Sequence, residues 1–260
     1  MIHPSAIVDP SAVLGEGVSV GPFSIIGPDV EIGEGTVIGP HVVIRGPTRI
    51  GRENRIFQFS SIGEDPQDKK YRGEVTRLEI GDRNVIREYA TLHRGTIQDA
   101  SLTRIGDDNL LMAYTHVAND CMIGNGTIMA NGASLAGHVH VDDLAILGGF
   151  SLVHQFCRIG RQSFSGMGSI ISRDVPPYVM VGGSPTRPRG INSVGLERKG
   201  YDSEAVLQIK RAFKIIYNPA LNWKRPSSIS RSWRRPPPKL PPCWIFSGKA
   251  AAASFAELLL

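Results

Sequence analysis

The stretch AYTHVANDCMIG, residues 113–124, places His116 three positions before Asn119, with Asp120 beside it. Histidine is the side chain whose ordinary pKa lies nearest neutrality, so it is the usual proton acceptor in general-base catalysis. A neighbouring carboxylate fixes its tautomer and stabilises its cation. Asn119 adjoins that carboxylate but carries an amide, which has no usable basicity near neutral pH. Further along, GHVH supplies His138, and VHQF supplies His154 and Gln155. Several histidines also admit a metal reading, but His116 and His138 lack the third ligand that a histidine triad needs. Proton transfer is the chemistry these residue types favour.

They act together only if the fold gathers them, and a repeat does so. Every sixth residue from Ile2 to Ile62 is aliphatic, eleven in one unbroken phase. A second phase runs Ile80, Ile86, Leu92, and a third runs from Ile105 through Val117, Leu135 and Val153 to Ile159, then Ser165 and Ile171. Neither a helical period nor plain alternation produces this spacing. It is the hexapeptide signature of an all-β fold, a left-handed parallel β-helix, in which three hexapeptides make one triangular coil. The aliphatic residue of each hexapeptide points inward, and small residues take the corners.

Coil arithmetic then gives geometry. Residues 18 apart sit one above the other, about 4.8 Å apart. Asp120 should stand over His138, and Asn119 over Gly137 with Gln155 below. His116, Asn119, Asp120, His138 and His154 thus fall within a few coils of one another.

The phase breaks twice, at residues 63–77 (GEDPQDKKYRGEVTR) and 94–104 (RGTIQDASLTR). Long loops on a rigid solenoid tend to carry function. The β-helix is expected over residues 1–186 and the start of a C-terminal helical region over 187–217. Within that region YDSEAVLQIKRAFKIIY is amphipathic, with Ser203 as the expected N-cap. Residues 218–260 form a Pro/Arg-rich tail holding seven basic residues and one acid, which leaves 22 basic and 23 acidic residues in the body. The net charge of +5 therefore belongs to the tail, and the body is no polyanion binder, so nucleic acid is not expected as a partner. No secretory leader or membrane span is read, and three unpatterned cysteines fit a reducing compartment.

Several segments resemble one family closely: FQFSSIGEDPQDKKYRGEVTRLEIGDRNVIRE, LHRGT, DDNLLMAYTHVANDC, LAGHVHVDDLAILGG, VHQFCRIG, DVPPYV and GLERKGY. Over about residues 1–217 the chain resembles the acyl-[acyl-carrier-protein]–UDP-N-acetylglucosamine O-acyltransferases, which begin lipid A synthesis. The resemblance implies a cytoplasmic homotrimer with active sites between subunits, and no metal or cofactor. It implies transfer of an (R)-3-hydroxyacyl chain from acyl carrier protein to the 3-hydroxyl of UDP-N-acetylglucosamine, with a histidine as general base. Asp68 and Lys70 match sugar-nucleotide contacts. His93, His116, His138, His154 and Gln155 match cleft residues. Asn192 and Arg198 match nucleotide contacts, and Met167 matches the acyl-chain ruler, implying a chain of about ten carbons.

The chain departs from the family pattern at the base itself, where H-x-x-H-D becomes HVAND and Asn119 takes the histidine's place. Asp120 is left without the partner it would polarise. Val194 replaces an expected acid, and Lys69 stands where an apolar residue is usual. The tail departs too, where the family continues with acidic, Ala/Leu-rich helices; a frameshift near Asn218 accounts for the change. Two readings follow: an acyltransferase impaired by Asn119 and its tail, or a catalytically inactive, sugar-nucleotide-binding or structural β-helix.

Overall fold

A computed structural model describes residues 1–217; the Pro/Arg-rich segment 218–260 and its proposed frameshift lie outside the described residues. The strands are two to five residues long and stack into three sheets, one per face of the prism, of nine, eight and ten strands among the described residues. Pairing is parallel throughout the coils, with Ile7 against Ile25, Val43 against Ser61 and His116 against Ser134. Among the described residues only Arg187–Ile191 runs antiparallel, against Val179–Gly182. This is the left-handed parallel β-helix expected from the hexapeptides.

The inward residues form the core. Ile26, Ile44, Ile62, Leu92, Val117 and Leu135 are fully buried on one face, one above the next. Burying each such side chain is worth about 1.5–3 kcal/mol, and the stack repeats that gain every six residues. The first coil departs from the pattern. Ile2 is 48% exposed, and burial begins in earnest at Val18 and Val20, because the end of a solenoid has no coil above it.

Corners carry the strain of the triangle. Asp120, His138 and Phe156 all adopt left-handed backbone, with φ of 59°, 61° and 65°. Such a conformation is unfavourable for residues with a Cβ, so the stacked neighbours must hold it in place. A polar ladder runs inside another corner: Asn84 donates its backbone N–H to Asn54 Oδ1 at 2.8 Å, Asn109 to Asn84 Oδ1 at 2.9 Å, and Thr127 to Asn109 Oδ1 at 2.7 Å. The backbone N–H of each of these buried residues is thereby satisfied by the side chain on the neighbouring coil.

The two phase breaks are loops. Irregular chain spans residues 65–76, between strands Ser61–Glu64 and Arg77–Ile80, and residues 94–101, between Thr91–His93 and Leu102–Ile105. The strands thus extend a residue or more into each expected loop. Met1–Asn192 forms one compact unit, which takes in the coils and the antiparallel strand Arg187–Ile191. The chain from Ser193 forms a second unit, in which α1 spans Ser193–Arg198 and α2 spans Ser203–Ile216. The N-cap of α2 is Asp202 rather than Ser203: its carboxylate accepts from the backbone N–H of Ala205 at 2.7 Å. A carboxylate caps better here because it also faces the positive end of the helix dipole.

Candidate active site

The expected vertical pairs form. The backbone N–H of His138 donates to the carbonyl of Asn119 at 2.9 Å, so the two corners lie on adjacent coils. His138 Nε2 is 3.8 Å from Asp120 Oδ2. Asn119 lies over Gly137, and a Cβ added to Gly137 would stand 3.1 Å from the Asn119 amide nitrogen. Glycine there leaves room for the side chain above it.

Asp120 is fully buried and bound on both oxygens. Oδ1 accepts from the backbone N–H of Thr96 at 2.8 Å, and Oδ2 accepts from Thr96 Oγ1 at 2.6 Å and from the Asn119 amide at 2.9 Å. A buried carboxylate tolerates desolvation only with such donors. Asn119 therefore fills the donor role of a carboxylate-bound histidine, and it presents no basic atom to the surroundings.

His116 and His93 pack edge to face, with ring centroids 5.2 Å apart. His116 Nδ1 is 2.7 Å from Thr91 Oγ1. Burial, with a smaller push from His93, drives the His116 pKa down to about 4. Burial also lowers the His93 pKa, against the pull of a backbone contact with Asp65 and the carboxylates of Glu64 and Asp65. Both rings are held neutral at neutral pH, which suits hydrogen bonding to a polar ligand rather than binding an anion.

A cleft of about 700 Å³ opens over this corner. Its wall combines Asp68, Lys69 and Lys70 of the 65–76 loop with His116, Asn119, His138 and Gln155 of the coils. The residues not on that wall divide by cause. Asp120 lies behind Asn119. His154 is exposed, its Nδ1 3.1 Å from the Gln155 carbonyl. Met167 is 81% exposed, so its side chain is not spent on packing among the described residues. Asn192 donates its amide to the Gln162 carbonyl at 3.0 Å, and Arg198 closes α1 in the second unit.

Three residues of this site escaped the sequence reading, all within the motif and loop that begin at LHRGT. Arg94 is buried and donates to the carbonyls of Gly46 and Gly63 at 2.6 and 2.8 Å, to Tyr71 Oη at 3.2 Å and to Asp65. It thereby pins the root of the 65–76 loop. Thr96 orients Asp120, as described above, and Asp99 Oδ2 lies 3.1 Å from His138 Nδ1. The signal available was a cation and a hydroxyl immediately after a core strand.

The described residues contain no group of three or more His, Cys, Asp or Glu side chains placed to hold a metal ion. No helix among them is long and apolar enough to cross a membrane.

Known proteins resemble this arrangement over most of the chain. The family described as "Udp N-acetylglucosamine O-acyltransferase; Domain 2" matches residues 174–230, and bacterial transferase hexapeptide repeats match residues 11–46 and 102–137. The acyl-[acyl-carrier-protein]–UDP-N-acetylglucosamine O-acyltransferase of Stutzerimonas stutzeri is 61% identical over 221 residues, covering 85% of this chain and 86% of that one. The structure of LpxA from Acinetobacter baumannii is 52% identical, with a TM-score of 0.83 over 85% of each chain. The UDP-N-acetylglucosamine acyltransferase of Bacteroides fragilis is 43% identical, with a TM-score of 0.84 over 85% of this chain and 87% of that one. With a hexapeptide β-helix, a cleft at the His116–Asp120 corner and this degree of identity, the chain belongs to the acyl-[acyl-carrier-protein]–UDP-N-acetylglucosamine O-acyltransferase family.

Proposed function

We propose that the cleft at Asn119 binds UDP-N-acetylglucosamine and accepts a 3-hydroxyacyl chain of about ten carbons on its sugar 3-hydroxyl. Membership of the family assigns the reaction class: acyl transfer from acyl carrier protein to UDP-N-acetylglucosamine in lipid A biosynthesis. The observation that carries the assignment to this cleft is its wall. Asp68 and Lys70 on a pinned loop face His116, Asn119, His138 and Gln155 across about 700 Å³, room for a sugar and the reacting thioester.

The roles are those the family resemblance implies for these positions. Asp68 accepts sugar hydroxyls, and Lys70 offsets phosphate charge. Neutral His116, with His93 behind it, hydrogen-bonds the sugar. His138, His154 and Gln155 line the path of the thioester, and Asn192 and Arg198 contact the nucleotide half. Asp120 is the carboxylate built to orient a base at position 119, where the amide makes turnover slow. Met167 stands out from the coil and closes the far end of the acyl groove.

An exposed Met167 can close a groove only against another surface, which supports a homotrimer with clefts between subunits. Outward Ile7, Ile25, Leu152 and Ile170 on one sheet are each 41–64% exposed and would be covered there. Two buried free thiols, Cys121 and Cys157, support a reducing cytoplasmic setting.

The test offers the chain 3-hydroxydecanoyl and 3-hydroxytetradecanoyl carrier protein with UDP-N-acetylglucosamine and identifies the product by mass spectrometry. Slow formation of a 3-O-(3-hydroxydecanoyl) product in preference to the longer one supports the reading. Preference for the longer chain removes the ruler role of Met167. No product from either, with an Asn119→His variant equally silent, removes the acyl-transfer reading of this copy.

A further inference from the structure

Asn119 leaves the base position without a proton acceptor, yet the same cleft holds a second histidine in the arrangement a base requires. His138 Nδ1 lies 3.1 Å from Asp99 Oδ2, whereas Nε2 lies 3.8 Å from Asp120 Oδ2. The shorter contact takes the ring proton on Nδ1 and leaves the lone pair on Nε2. At 3.8 Å that nitrogen is beyond hydrogen-bond length, so the lone pair is uncommitted. The ring stacks on Phe156, with centroids 4.6 Å apart and planes 13° apart, which fixes its orientation. Its backbone N–H donates to the Asn119 carbonyl, so it stands one coil from the missing base, on the wall of the same cleft.

The other histidines are less suited. His116 has a hydroxyl partner and a pKa near 4, too low to draw a proton from an alcohol at neutral pH. His154 has a carbonyl partner in its own coil corner and lies off the cleft wall. His140, on strand His140–Val141, is held low by burial and by Arg158. The groups that face His138 are Asp99 from the 94–101 loop, Asp120 from the coil above, His140 from the same stretch of chain and the apolar ring of Phe156 from the coil below. Two carboxylates thus flank the ring.

We propose that in this chain His138, oriented by Asp99, takes the proton of the acceptor hydroxyl in place of the histidine that position 119 lacks. The inference rests on the acyl-transfer reading above. The hydroxyl oxygen bonds to the thioester carbonyl carbon as Nε2 takes its proton. The carbon–sulfur bond then breaks, and Nε2 returns the proton to the leaving thiolate, so ester and thiol form with no further reactant. Asp99 is a positioning residue in this scheme and touches no substrate.

The test measures kcat and the pH dependence of kcat/KM for the unmodified chain, Asp99→Asn, Asn119→His and the double variant, with Asp99→Glu as the conservative control. Asp99→Asn should cost the unmodified chain at least ten times more in kcat than it costs the Asn119→His protein. It should also change the pH profile of kcat/KM in the unmodified chain and leave that of the Asn119→His protein unmoved, because only the former draws on the ring that Asp99 orients. Asp99→Glu should restore part of both. Equal losses in the two backgrounds with an unmoved pH profile would overturn the proposal by making Asp99 merely structural. So would an unmodified chain without turnover beside an active Asn119→His variant, which leaves the acyl-transfer reading intact; silence from every variant overturns both.

Discussion

The Asn119 amide donates to Asp120 Oδ2 at 2.9 Å, and Thr96 already binds both oxygens of that carboxylate. A histidine at position 119 could donate to the same oxygen through one ring nitrogen and keep the other for substrate. An amide makes the first contact and has nothing for the second. The carboxylate proposed to orient a base is therefore fully bound beside a residue that offers no basic atom.

Thr96 should matter to stability as well as to the site. Thr96→Val keeps the backbone N–H but removes the 2.6 Å hydroxyl bond to a fully buried carboxylate. A lost hydrogen bond to a buried charge costs roughly 1.5–3 kcal/mol. Denaturant titration of Thr96→Val should show a loss in that range, and a midpoint matching the parent would contradict the bond.

Arg94 should act on substrate binding through the loop it holds. Arg94→Met strands the carbonyls of Gly46 and Gly63 and releases Asp65. Stability should fall by on the order of 2 kcal/mol or more, as buried acceptors lose their donors. In an Asn119→His background, KM for UDP-N-acetylglucosamine should rise more than kcat falls, because Asp68 and Lys70 ride on the loop. A change in kcat alone would point elsewhere.

His116 gives a pH signature to folding. Its folded pKa of about 4 lies below the ordinary 6.5, so between those values the unfolded chain binds the extra proton. Its contribution is fully present above about pH 6.5 and is lost as pH falls toward 4. His116→Gln should flatten the stability profile across that window, measured by denaturation at fixed pH steps. An unchanged slope would mean the ring is not held neutral by burial.

Met167 is 81% exposed, so shortening it should cost little stability while lengthening the acyl groove proposed to end there. Met167→Gly in the Asn119→His background should shift preference from the ten-carbon toward the fourteen-carbon chain. Each matched methylene is worth about 0.8 kcal/mol of burial, enough to invert a modest preference. Competition between the two carriers, read by product mass, checks this.

The periodic parts of the molecule were legible because one period served both chain and space. Ile26, Ile44 and Ile62 are 18 apart in sequence and stack as counted, and Asp120 lies over His138 by the same arithmetic. Counting fails across the loops. Thr91 pairs with His116 at a separation of 25, and Ser61 with Thr91 at 30, so nothing in the spacing brings Thr96 to Asp120 or Asp99 to His138. Arg94 was hidden for a different reason: a buried arginine is legible only through its partners, and here all four, Gly46, Gly63, Asp65 and Tyr71, lie on other coils or loops. At α2 the ambiguity was one residue wide, because Asp202 and Ser203 can both cap and only the carboxylate reaches the Ala205 N–H.

The most direct measurement compares the unmodified chain with Asn119→His in transfer from 3-hydroxydecanoyl carrier protein to UDP-N-acetylglucosamine. A placed general base contributes ~10²–10⁴-fold, of which His138 supplies part in the unmodified chain. The variant should therefore turn over at least tenfold faster, with little change in KM for the sugar nucleotide. Equal kcat for the two proteins would contradict the assignment of position 119 as the seat of the base.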